Sequence, residues 1–144
     1  MSHDPASKER ANHYSRLIIG AAIEVHRALG PGLLESVYER CLKHELTKHD
    51  YKVQTQLWLP VIYDGIEIEG GYKIDLLVED IVVVELKVVE AVQPVHKAQL
   101  LSYLKLSRKE VGLLINFNVV HMRDGIKRLV NTSDPSAYSA SSVV

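Results

Sequence analysis

The chain is short of the residues that announce several common chemistries. Cys41 is its only cysteine, which excludes an intramolecular disulfide and a multi-cysteine zinc or iron-sulfur site and points to a reducing compartment. No apolar run approaches the roughly 18 residues of a membrane helix, and the polar start lacks a signal peptide's apolar segment. The expectation is a cytoplasmic protein with no membrane partner. Charge of one sign is missing too: 17 Lys and Arg stand against 18 Asp and Glu, for a formal net charge of -1. Nothing global therefore advertises a polyanion partner, and any nucleic-acid surface must come from local arrangement. No internal repeat is visible. What remains is 144 residues, 47% hydrophobic and 24% charged, an ordinary composition for one globular domain with a sizeable core.

Against that background the stretch from Tyr72 to Val89 stands out. It is rich in β-branched residues and reads as two buried strands, yet Asp75, Glu85 and Lys87 are set into it. Charges seldom occupy such positions without a partner or a metal. Side chains alternate along a strand, so Glu85 and Lys87 share a face. A three-residue loop, Glu79 to Ile81, puts Val78 opposite Val82 and Asp75 opposite Glu85. A two-residue loop pairs Asp75 with Val84 and sends the carboxylates to opposite faces. A functional pairing thus requires the odd-length loop or a bulge. Two adjacent buried carboxylates repel unless a cation separates them, and Lys87 or a divalent metal could be that cation. A purely structural ion cluster stays open on pattern alone.

The flanking elements follow from periodicity. Residues 1–14 read as a flexible polar arm. Leu17, Ile18, Ala21, Ala22, Val25 and Leu29 recur at helical spacing, with Gly30-Pro31-Gly32 as a stop. His26 lies beside that stripe as a packing or capping residue. A second helix from Leu33 to about His49 turns Leu34, Val37, Tyr38, Cys41, Leu42 and Leu46 inward. Glu35 falls in its first turn, where the helix dipole favours a negative charge, or else leans over the hairpin. Cys41 and His44 share a face but are too few for a zinc site.

Val53, Thr55, Leu57 and Leu59 alternate with polar neighbours as one strand, Pro60 marks an edge or break, and Asp64-Gly65 signals a hairpin. Gly70-Gly71 permits a bend or bulge. Pro94 opens a helix to about Leu106 with Ala98, Leu101 and Leu104 or Lys105 on one face, and His96, Gln99 and Tyr103 on another. Val111 to Val119 is a last buried strand whose Asn116 and Asn118 bond to backbone or a neighbouring loop. Met122 to Val130 is a short edge strand or helix, and residues 131–144 read as a disordered tail.

The segment Gly32-Leu33-Leu34-Glu35-Ser36-Val37-Tyr38 resembles the signature of the GxxExxY protein family, a part of the PD-(D/E)XK nuclease-like superfamily, and the resemblance extends over roughly Leu17 to Val130. It implies an α/β (α+β) fold with a restriction-endonuclease-like core, a mixed sheet flanked by helices, as a single domain over 15–130. Matched position by position, the helix Glu is Glu35, the Asp is Asp75, the E-x-K is Glu85-Leu86-Lys87, and the Q-x-x-x-Y is Gln99 to Tyr103. One departure is Ile74, where the pattern has Pro before the Asp.

The resemblance implies a metal-dependent nuclease acting on nucleic acid, DNA in the first instance. Asp75 and Glu85, with the carbonyl of Leu86 and with Glu35 through water, would hold Mg2+ or Mn2+. Lys87 would orient the attacking water or stabilise developing charge, and Gln99 and Tyr103 would position Lys87, a ligand or the substrate backbone. His96 is an optional phosphate contact. The competing reading is a non-catalytic module of the same fold that binds nucleic acid or a protein, or a small homodimer. A glycosidase reading of the carboxylates is disfavoured by Lys87 and by the lack of aromatic sugar platforms.

Overall fold

Helix α1 begins where Pro5 presets the backbone for a first turn and ends at Leu29. The following Gly30 turns into the left-handed region at φ +70 and donates its N–H to the carbonyl of His26 at 2.7 Å. The computed structural model describes residues 5–132. The expected arm over 1–14 is therefore helix from Pro5 onward. Its anchor is a stripe of small residues that hydropathy passes over: Ala11 and Ser15 continue the spacing of Ile18, Ala22 and Val25 and are equally buried. The Ser15 hydroxyl donates to the Ala11 carbonyl at 2.7 Å, so it enters the core satisfied.

Helix α2, Glu35–Lys48, buries Tyr38, Leu42 and Leu46. Leu34 and Val37, expected to face inward, are exposed, because the helix starts only at Glu35 and Leu34 is still extended backbone. Tyr38 ties three elements together. Its ring stacks on Phe117 at 4.4 Å, and its hydroxyl donates to the Gly30 carbonyl at 2.6 Å and accepts the Leu33 N–H at 3.1 Å.

The strands β1 (Val53–Tyr63), β2 (Ile66–Val78), β3 (Val82–Lys87), β4 (Val111–Asn116) and β5 (Ile126–Val130) form one sheet in sequence order. All neighbours are antiparallel except β3 and β4, whose parallel pairing is connected through helix α3, Pro94–Ser107. Helices α1 and α2 pack with one face of the sheet, and α3 packs with the other. This is the mixed, helix-flanked α+β arrangement expected of a restriction-endonuclease-like core. The interior strand β4 is buried along its whole length, as a parallel neighbour covered on both faces must be. No helix among the described residues is long and apolar enough to cross a membrane.

Several local expectations are corrected. Pro60 does not end its strand; β1 passes through it with a register shift between Leu59 and Val61. The longer β2 side absorbs the shift at Gly71, where an added Cβ would come within 2.5 Å of Val61 Cγ2. On α3 the buried residues are Leu100, Leu101 and Leu104, while Ala98 is exposed. Met122–Gly125 is a 3-10 turn leading into β5, an edge strand. Asn131, placed in the expected tail, is buried and ends α3: its Nδ2 donates to the carbonyls of Leu104 and Lys109 at 3.2 and 3.0 Å. The amide thereby ties the last turn of α3 to the segment that follows it, adding to the Lys109 N–H, which also reaches the Leu104 carbonyl at 3.2 Å. The remainder of that tail, 133–144, lies outside the described residues.

One irregularity shapes the site. Leu76 and Val78 join the cluster under α1 and α2, whereas Tyr72 and Ile74 join the one under α3, so the inward parity of β2 changes at Asp75. The same change occurs on β1 between Val53 and Leu57. Gln56 lies in that interval with φ +51, a conformation a regular strand does not contain. Its amide donates to the Glu39 carboxylate on α2, which fixes the irregular residue against the helix.

Candidate active site

The register that brings the carboxylates together begins at the turn. Glu79 and Asp80 take positive φ values of 53 and 56, and Ile81 donates its N–H to the Val78 carbonyl at 2.9 Å. Glu79 is bound down by the Lys52 N–H at 2.5 Å and by the Tyr14 hydroxyl at 3.4 Å. The loop is thus the odd-length one, and β2 and β3 pair as Val78↔Val82, Leu77↔Val83 and Leu76↔Val84. The next level is Asp75 and Glu85.

At that level backbone pairing gives way to side chains. Asp75 donates its N–H to Glu85 Oε1 at 3.2 Å, and Leu86 donates its N–H to Asp75 Oδ2 at 2.9 Å. Each carboxylate thereby fills the gap where β2 departs from β3. Asp75 is 7% exposed and Glu85 4%. Burial, then the negative charge of Asp75, pushes the Glu85 carboxyl up to about 9, against the pull of a backbone hydrogen bond and of Lys87. With no cation between them, burial and the neighbouring carboxylate favour the protonated form of Glu85.

Lys87, half-buried at the end of β3, points its ammonium at Gln99 of α3, with Nζ to Oε1 at 3.3 Å. Among the described residues it forms no ion pair within 4.0 Å of either carboxylate. Its backbone is clamped from β4. Phe117 donates to the Lys87 carbonyl at 3.0 Å, and Asn116 accepts the Val89 N–H at 3.1 Å while donating to the Val89 carbonyl at 2.8 Å. A single polar residue inside an apolar strand was the sequence signal for this clamp, and Asn116 bonds the neighbouring segment as expected.

Tyr103 completes the α3 side. Burial and the charge of Glu85 raise its phenol above the ordinary range, and hydrogen bonding with Gln99 opposes that rise. Gln99, which accepts from Lys87, also neighbours Tyr103, whose ring lies 5.0 Å from that of Tyr72. Glu35, exposed in the first turn of α2, is raised by partial burial and then by Asp75, with Lys87 and Lys73 lowering it. It is thus within electrostatic reach of the pair although no hydrogen bond joins them. His96 is elsewhere in function: its Nδ1 accepts the Gln93 N–H at 2.9 Å, so it caps α3. Lys73, beside Glu35, was not singled out from the sequence; its position two residues before Asp75 was the available signal.

The donor chemistry fits a hard divalent ion. Asp75 and Glu85 present adjacent buried carboxylate oxygens, with Glu85 pushed towards its protonated form, and the Leu86 carbonyl is next in the chain. A Mg2+ or Mn2+ ion would replace that proton and remove the repulsion. No group of three or more His, Cys, Asp or Glu side chains suited to a metal converges among the described residues. The groups that could hold such an ion are Asp75, Glu85 and the Leu86 carbonyl, with Glu35 through water.

A model of the PD-(D/E)XK nuclease superfamily matches residues 12–129. No curated protein matches the chain significantly. The crystal structure of SSO0001 is similar at 15% identity and a TM-score of 0.48, over 93% of this chain and 69% of that one.

Proposed function

We propose, since this chain belongs to the PD-(D/E)XK nuclease superfamily, that it is a Mg2+- or Mn2+-dependent nuclease hydrolysing phosphodiester bonds of nucleic acid, DNA in the first instance. One observation carries the reading: two carboxylates, Asp75 and Glu85, are buried at one level of the sheet, while the adjacent Lys87 gives its ammonium to Gln99 and not to them. A structural ion cluster would use Lys87 to neutralise the pair by contact. Here the pair stays short of positive charge, which suits a divalent ion and leaves the lysine for another task. The Gly32-to-Tyr38 segment supports the finer assignment to the GxxExxY family.

A bound metal would polarise a phosphate oxygen and make a water more acidic. The protein's residues do the rest. Asp75 and Glu85 would hold the ion, and their hydrogen bonds to backbone N–H groups keep them from turning away. Gln99 holds the Lys87 ammonium beside the pair, ready to orient the attacking water or to meet charge developing on the phosphate. Tyr103, its phenol raised by burial and by Glu85, keeps its hydroxyl proton to donate to substrate. Glu35 lies at the α2 side, where a water-mediated contact to the ion would be its share.

Calorimetric titration of Mn2+ into the parent and into Asp75→Asn, followed by the same samples on single- and double-stranded DNA, tests the proposal. Binding lost in the variant together with metal-dependent cleavage by the parent supports it. No metal binding by either protein overturns it in favour of a non-catalytic module.

A further inference from the structure

Trp58 is the chain's single tryptophan and is 61% exposed. Its strand neighbours Leu57 and Leu59 pack into the cluster under α3, so alternation puts Trp58 on the opposite side of the hairpin. The indole does not swing free. An added Cβ at Gly70 would lie 3.9 Å from its Cε3, and Lys73, its cross-strand partner, places Nζ 5.6 Å from the ring centroid. Lys73 is two positions from Asp75, about 7 Å along a strand, and its charge reaches Glu35. Gln56, two residues before Trp58, is bonded to Glu39 of α2. An aromatic face and a cation are therefore fixed together on the α2 side of the carboxylate site.

We propose that Trp58 and Lys73 form a stacking platform for an unpaired base next to the phosphate at Asp75 and Glu85, which makes the substrate single-stranded nucleic acid. The π-face of the indole accepts any unpaired base, while Lys73, drawn off the ring, meets the adjoining phosphate. Duplex bases are stacked on one another and offer no such face. The charge pattern sets the direction of the strand. Glu67 lies across from Ile62, further towards the hairpin tip, where it repels phosphate. The nucleic acid therefore passes the level of Trp58 inward to Asp75. The inference rests on the nuclease reading for the phosphate's position, but binding alone reads it out.

The experiment titrates oligodeoxythymidylate of about 12 nucleotides into the full chain in EDTA while following the emission of Trp58. Saturable quenching is expected, with a blunt duplex of equal length binding at least about tenfold more weakly. By anisotropy of a labelled strand, Trp58→Ala should lose about tenfold in affinity and Trp58→Phe should recover most of it. Lys73→Ala should reduce the salt dependence by about one phosphate contact. Circular dichroism checks that the variants fold. Unchanged emission, equal affinity for duplex, or parent-like binding by Trp58→Ala overturns the platform. The two proposals fail separately. A parent that binds with quenching but never cleaves with Mn2+ removes the nuclease and keeps the platform. One that cleaves duplex while Trp58 emission stays constant does the reverse.

Discussion

The two halves of the β1–β2 hairpin have similar composition and opposite circumstances. At the root, Leu76, Leu77 and Val78 are buried between β1 and β3 and under helices on both faces. Further out, Ile62, Tyr63, Ile66 and Ile68 are equally apolar but exposed, beyond the end of the β2–β3 ladder. β-branched and aromatic residues make strand in either place, so strand formation says nothing about burial. What separates the halves is the level of Gln56 and Asp75, where both strands change inward parity and β2 leaves β3. The candidate catalytic residues gather at that junction because the departing strand opens a gap that carboxylates fill. The root is a foundation, and the outer half is available for contact.

The junction is the place to break first. Asp75→Ala and Lys87→Ala should each lower metal-dependent cleavage by about a thousandfold or more, with helical circular dichroism retained. Parent-like rates in either variant would separate the junction from the chemistry.

The contrast in foundation is sharpened by truncating equal volumes on the two sides. Leu76→Ala should cost about 2–5 kcal/mol in urea unfolding, because Leu76 is fully buried. Ile66→Ala, at an exposed outer position, should stay within about 0.5 kcal/mol. Similar losses at both would mean that the outer half is as much a part of the core as the root.

The junction also has a pH signature. Glu85 is raised from an ordinary 4.5 to about 9 by burial and Asp75, so between those values the folded protein binds a proton that the unfolded chain releases. Its contribution is fully present below pH 4.5 and is lost as pH rises through about 9, with a slope of at most about 1.4 kcal/mol per pH unit. Metal-free parent protein should therefore become less stable from pH 5 to pH 8, and Glu85→Gln should flatten that slope. Urea midpoints in EDTA at the two pH values read this directly. A smaller effect, about 1 kcal/mol, is expected for Asn131→Ala, which strips the amide from the carbonyls ending α3.

Much of this was legible before any coordinates. The apolar spacing of Tyr38, Leu42 and Leu46 and the proline at position 94 give α2 and α3 their identities, though the exact ends and the exposure of Leu34 and Ala98 depend on where neighbours press. The first turns of α1 were missed because Ala11 and Ser15 earn burial by being small against a facing surface, which hydropathy does not measure. Pro60 marks an edge or a break in the sequence, and it is the edge that the structure shows: β1 is an outer strand and passes through Pro60 at a register shift, where the ladder bond is already absent.

The chain by itself determined that Asp75 would meet Glu85 only across an odd-length turn, and the folded structure supplied that turn, with Val78 opposite Val82. The chain determined also that Glu85 and Lys87 would share a face. Only the tertiary structure decided that burial and Asp75 raise the Glu85 carboxyl, that Lys87 turns to Gln99 instead of the carboxylates, and that Glu35 and Lys73 come within reach from separate elements. Counting along one chain fixes parity, but desolvation and Coulomb interactions depend on distances across elements and on how deeply each group is covered.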